Sequence, residues 1–195
     1  MNSQQLSALG IDEKWLEPLN AAFAKYDIST PARQAFFMGQ CMHESNNFKT
    51  LEENLNYRPE ELMKVWPSRF PDMATAIKYA HQPQLLANKV YAGRLGNSQE
   101  NDGYAYRGRG IIQLTGRELY DNCGKAIGVD LINQPNLLAQ PNCAALSAGW
   151  FWNKKGLNAL ADAQDLETMT KRINGGLLGL DARKAKIAKA ISVLG

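Results

Sequence analysis

Glu44, in the stretch CMHESNNFKTLEENLNY, follows an apolar run, and a carboxylate pair, Glu52 and Glu53, comes shortly after it. Two carboxylates with different proton affinities suit hydrolysis of an acetal: one protonates the leaving oxygen and the other activates water. Glu44 has the first character. Ala35, Phe37, Met38, Cys41 and Met42 recur on one face of a predicted helix that ends near Ser45 to Asn47, so Glu44 falls in its last turn, at the negative end of the dipole. That position, with apolar neighbours, predicts a raised proton affinity. The structural alternative is an exposed helix-end Glu paired with a Lys or Arg. If Phe48 and Leu51 fold onto the core, Glu52 and Glu53 point in different directions, and one of them is expected to face Glu44. The alternative there is a solvated acidic loop. The spacing permits the ~6.5–9.5 Å separation of an inverting pair without demanding it.

Other constellations are weaker. His43-Glu44 begins like the zinc-binding pattern H-E-x-x-H, but Asn47 stands at the second histidine position and His81 is the only other histidine. No metal is expected, and His43 reads as a hydrogen-bonded residue beside the site. The turn Arg107-Gly-Arg109-Gly offers two guanidinium groups for carboxylates or polar substrate groups. Thr115-Gly-Arg-Glu118 fits a capping box at a helix start, a role compatible with a hydroxyl that touches water. Ile173-Asn174-Gly-Gly reads as a helix C-terminal turn, or as amide groups available to an acetamido sugar. Cys41, Cys123 and Cys143 have no metal-like spacing and read as reduced thiols, Cys41 as a buried one.

The elements that must position these groups are mostly helices. An amphipathic helix is predicted from about Asp12 to Tyr26. Thr30-Pro31 starts the next one with a capping hydroxyl and a first-turn proline. Short helical runs, PEELMKVW and PQLLANKVYAG, lie among Pro59, Pro67, Pro71 and Pro83. A short β-like run is predicted at Ile111 to Thr115, a helix from about Gly116, and further helices over Cys143–Trp152, Leu166–Ile173 and Asp181–Val193. The 195 residues suffice for a single domain. Its larger lobe is expected over about 1–53 and 103–195, and its smaller lobe over about 54–102. With 45% hydrophobic and 21% charged residues and no long apolar segment, the composition is that of a globular protein, and a net charge of +3 gives no argument for nucleic acid. The N-terminal residues do not read as a secretory signal, so synthesis in the cytoplasm is expected, with access to a cell wall through a holin-like lesion or dedicated delivery.

Taken together, HESNNF at 43–48, ENLNY at 53–57, YRGRGIIQLTG at 106–116 and INGG at 173–176 resemble the family 19 glycoside hydrolases, over roughly Thr30 to Arg183. The short form is most similar to the bacteriophage and prophage endolysins of that family. The resemblance implies a mainly α, lysozyme-like fold with a cleft between a larger and a smaller helical lobe. It also implies an inverting mechanism with Glu44 as general acid, Glu53 as general base and Thr115 holding the attacking water. Gln113, Tyr120 and Asn174 correspond to substrate-contacting positions, and His43, Tyr57, Arg107 and Arg109 join them. Which arginine supports a catalytic carboxylate stays open. The plant enzymes differ in having a longer interval between the two Glu residues and several disulfides, and GRELYDN runs one residue longer than their counterpart.

The function implied is that of a monomeric, cofactor-free endolysin that hydrolyses the β-1,4 glycan of peptidoglycan. Chitin is the alternative substrate, and a lytic transglycosylase or a non-catalytic glycan-binding module are the alternative functions. The C-terminal DARKAKIAKAISVLG reads as an ordinary packed terminal helix, or as a basic amphipathic helix in transient contact with anionic envelope components.

Overall fold

Thr30 and Pro31 start the central helix as their types predict. In the computed structural model, which describes residues 1–195, Thr30 Oγ1 accepts from the Arg33 N–H and Pro31 takes the first turn. This helix, α3 (Pro31–Glu44), follows α1 (Ser3–Leu9) and α2 (Leu16–Lys25). The segment predicted as one helix from Asp12 begins instead with a single 3-10 turn, Glu13–Trp15, capped by Asp12. After α3 come α4 (Pro59–Val65), α5 (Met73–Tyr79), α6 (Pro83–Tyr91) and α7 (Asp102–Ala105). The remaining helices are α8 (Arg117–Ile127), α9 (Pro141–Lys154), α10 (Leu157–Asp162), α11 (Leu166–Asn174) and α12 (Leu180–Leu194). The β-like run at Ile111 to Thr115 is a turn with isolated bridges, Glu52 to Arg109 and Arg109 to Leu114, and forms no sheet.

Apolar residues divide among three clusters. The largest takes its side chains chiefly from the 3-10 turn and from α1, α2, α3, α9 and α12, with Trp15, Phe37, Met38, Trp152, Ile187 and Leu194 among them. A second surrounds α8 with Tyr106, Leu114, Tyr120, Cys123 and Leu138. A third is built from residues 55–90, with Leu62, Phe70, Leu86 and Val90, and is flanked by Tyr91 and Tyr104. Cys41, Cys123 and Cys143 are buried and unpaired, and burial pushes all three thiols up.

Two close approaches set the frame of the site. α12 packs on α3 more extensively than any other helix pair. Gly39 makes this possible, since a Cβ there would lie 2.9 Å from the Ile187 backbone nitrogen. Directly after α3 the chain reverses through three consecutive left-handed residues, Asn46, Asn47 and Phe48, at φ 49°, 55° and 64°. Asn tolerates this conformation, but for Phe48 it costs about 1–2 kcal/mol. The ring is buried and packs on Trp15 at 4.9 Å between centroids, which offsets that cost. Ser45 fastens the turn, donating to Cys41 O at 2.6 Å and accepting from the Phe48 N–H at 2.8 Å.

Candidate functional site

The candidate residues gather in two groups joined by the segment 45–52. The first lies where α3 ends against α12. Glu44 Oε1 is 2.6 Å from Arg183 Nη2. Arg183, only 2% exposed, also donates from Nη1 to Gln40 Oε1. The apolar surroundings expected for Glu44 are thereby corrected. Its carboxylate is partly exposed and faces a guanidinium, because the α3–α12 packing delivers a cation from a distant part of the chain.

His43 stands against Gly179, where a Cβ would come within 2.8 Å of Nε2. Burial, and then the positive charges of Arg183 and Lys186, hold its imidazole below the usual range, with Glu44 opposing them. At neutral pH it is an uncharged ring beside the carboxylate. Asn174 is exposed at the end of α11 and donates from Nδ2 to Leu178 O at 3.2 Å, and Gly175 caps that helix at φ 75° as the INGG pattern predicts.

The second group surrounds Gly108. Glu53 accepts from the Gly108 N–H on Oε1 at 2.7 Å and from the Tyr91 hydroxyl on Oε2 at 2.8 Å. Its own N–H donates to Gly108 O at 2.9 Å. A Cβ at Gly108 would sit 3.1 Å from Gln113 Oε1, 3.2 Å from Thr115 Oγ1 and 3.4 Å from Glu53 Cβ, so these three side chains share one small space. Burial and the Glu53 charge push the Tyr91 phenol well up, which keeps it a donor, and Tyr57 is raised by burial and by the Glu53 and Glu61 charges.

Glu52 and Glu53 do point apart. The paired arginines hold Glu52: Arg107 Nη2 bonds its Oε2 and Arg109 Nε lies at 3.5 Å. Arg107 also stacks over Tyr104, 4.2 Å from the ring centroid. Neither arginine pairs with Glu53, whose partners are Tyr91 and a backbone amide.

Arg109 and Tyr120 are corrected from substrate-contacting to supporting residues, since both are buried. Arg109, 1% exposed, donates to Ala105 O, the Tyr120 hydroxyl and Asn136 Oδ1. Tyr120 donates to Arg107 O at 2.6 Å, and burial pushes its phenol up to about 12. Replacing Arg109 with Met is therefore expected to cost about 2–4 kcal/mol through the stranded Ala105 carbonyl, Tyr120 hydroxyl and Asn136 amide, read as a lower urea midpoint. An unchanged midpoint would remove Arg109 from the scaffold.

The capping box at Thr115 is also absent. Gly116, at φ 96°, precedes α8, and Asn97 Oδ1 and Leu95 O accept the first amides of the helix. Thr115 Oγ1 donates only to Gln113 O, at 3.1 Å. Thr115→Ala is thus expected to leave thermal stability within about 1 kcal/mol of the parent. Its effect belongs to catalysis: a loosened water should lower kcat on the order of 10²-fold. A variant as active as the parent would show that the hydroxyl holds no reacting water.

Sequence reasoning missed Arg183, Gln40 and Tyr91. Arg183 sits in a run of basic residues that reads as a solvated helix face, and Tyr91 in an ordinary amphipathic pattern, so neither carries a local signal.

The sequence model of the chitinase class I family, glycoside hydrolase family 19, matches residues 21–161. The chain belongs to glycoside hydrolase family 19. This family 19 chain is 39% identical over 179 residues to a glycosyl hydrolase family 19 domain-containing protein of Haemophilus influenzae, covering 91% of the chain and 87% of that protein. It is 40% identical over 83 residues to Endochitinase 2 of Gossypium hirsutum, but the match covers 42% of the chain and 28% of the cotton protein. Among solved structures, chitinase C from Streptomyces griseus HUT6037 superposes with a TM-score of 0.69 at 19% identity, covering 100% of the chain and 76% of that protein. The fold is the mainly helical, lysozyme-like fold of the family 19 chitinases. Family membership supports glycoside hydrolysis as the chemistry.

Proposed function

We propose that this family 19 protein is an endolysin-type hydrolase that cuts β-1,4 bonds in the glycan strands of peptidoglycan by single displacement and so lyses bacterial cells. The observation that carries the mechanism is the different setting of the two carboxylates. Glu44 faces one guanidinium, whereas both Glu53 oxygens accept hydrogen bonds beside Thr115. Glu44 takes up a proton from solvent on its partly exposed side before delivering it to the glycosidic oxygen, and Arg183 receives the carboxylate so formed. Glu53, oriented by Tyr91 and the Gly108 amide, takes a proton from a water on the opposite sugar face, and the Thr115 hydroxyl aims that water. Gln113, Asn174 and Tyr57 are offered to the sugar, and His43 contributes an uncharged ring.

The chain matches most of a bacterial family 19 protein but only a fraction of a plant endochitinase, and the short form it shares with the family's endolysins is the ground for a wall polymer as substrate. Chitin is the second reading, favoured by the endochitinase relatives and by the same linkage between N-acetylated sugars. End-group analysis of digested peptidoglycan and of chitin oligomers tests both readings. New reducing ends from peptidoglycan are the expected result. Reducing ends from chitin alone would move the assignment to a chitinase, anhydro ends to a transglycosylase, and binding without new ends to a glycan-binding module.

A further inference from the structure

We infer that the Glu44 side of the site continues into a subsite for the peptide arm of a substituted sugar, formed by an apolar lip, Leu177 and Leu178, and the ammonium of Lys186. The inference rests on the peptidoglycan reading above. Leu178 is 82% exposed, the most exposed of the large hydrophobic side chains, and Leu177 is exposed beside it. Their segment is held at both ends. Gly175 and Gly179 turn the chain at φ 75° and 77°, Asn174 Nδ2 donates to Leu178 O, and the Leu180 N–H donates to Leu177 O at 3.1 Å. A turn whose backbone is held while two leucines face water is preorganised for an apolar ligand, since little backbone ordering remains to be done when one arrives. Gly179, directly after Leu178, abuts His43, so the lip borders the candidate acid.

Lys186 supplies the second half. It is partly buried, and its Nζ is fixed by a 2.7 Å bond to Asn47 Oδ1 in the left-handed turn after Glu44. It forms no ion pair with any carboxylate of the chain, although its charge is felt at His43. Burial, and then Lys189, pull its ammonium below the usual lysine range. A lactyl-linked peptide presents this sequence of chemistry: methyl groups on the lactyl ether and first alanine, then free carboxylates. An unsubstituted N-acetylglucosamine polymer has methyl groups but no carboxylate.

The test compares native peptidoglycan with the same material after its peptide carboxylates are converted to amides. The parent enzyme is expected to show kcat/KM about three- to fivefold higher on the native polymer, the scale of a single exposed charge pair. Lys186→Met should cut both polymers at equal rates, while Lys184→Met, on the exposed side of the same helix, should keep the parental ratio. Leu178→Ser should lower both rates about fivefold, the scale of one partly buried Leu side chain. A parent indifferent to amidation, or a ratio that survives in Lys186→Met, overturns the inference while leaving peptidoglycan hydrolysis intact. Undiminished rates in Leu178→Ser overturn the lip. A parent that releases no reducing ends from either polymer overturns the peptidoglycan reading and this subsite with it.

Discussion

Glu44→Gln is expected to lower glycan cleavage by about a thousandfold while leaving the helical fold in place. The amide has nearly the size of the carboxyl group but has no proton to give to a leaving oxygen. The substitution also removes the ion pair with Arg183, a residue that keeps its bond to Gln40 and its place in the α3–α12 contact. The amide oxygen that replaces the carboxylate can still accept from Arg183 Nη2, so the buried guanidinium is not left without a partner. A far-ultraviolet circular dichroism spectrum matching the parent, combined with a lost rate, is the signature of an acid. A rate within a few-fold of the parent would take Glu44 out of the reaction.

Glu53→Gln and the anomeric form of the first product together test whether two carboxylates act from opposite faces. A water activated by Glu53 attacks a β-linked sugar from the α side, so the product formed first should be the α-anomer, visible by rapid NMR before mutarotation. Glu53→Gln should lose most activity, and Glu52→Gln should not, because the Glu52 carboxylate is held by Arg107 and Arg109, away from the Tyr91 and Gly108 donors that orient Glu53. A β-anomer appearing first would refute single displacement. A larger loss at Glu52 than at Glu53 would transfer the base to the wrong-seeming neighbour and leave Tyr91 without a catalytic partner.

What could be read in the chain depended on how local the cause was. Thr30, Pro31 and the apolar spacing after them define α3 from within, and Glu44 was legible at its end for that reason. Gly175 closed α11 as its type and position suggested. Thr115 and Glu118 satisfied the capping pattern equally well on paper, yet a loop about twenty residues upstream reaches the same amides through Asn97 and Leu95. Arg183 shows the limit most clearly. Its neighbours say basic helix, and only the packing of α12 on Gly39 turns that one cation inward to Glu44. The helices α1, α5, α7 and α10 escaped prediction because each is two turns or less, too brief for a period to emerge, whereas the equally short α4 is marked by Pro59 in its first turn.

The α3–α12 contact also bears on when the molecule becomes an enzyme. Glu44 and Arg183 are supplied by segments far apart in the chain, and the pairing of Gln40 with Arg183 spans a sequence separation of 143. Contacts of that range close late, since a long loop must lose its freedom before they return anything. Local helices and the cluster around α4 to α6 have no such delay. Hydrolytic competence thus waits on a long-range contact, and a molecule in which α12 has not docked on α3 holds the carboxylate without its cation.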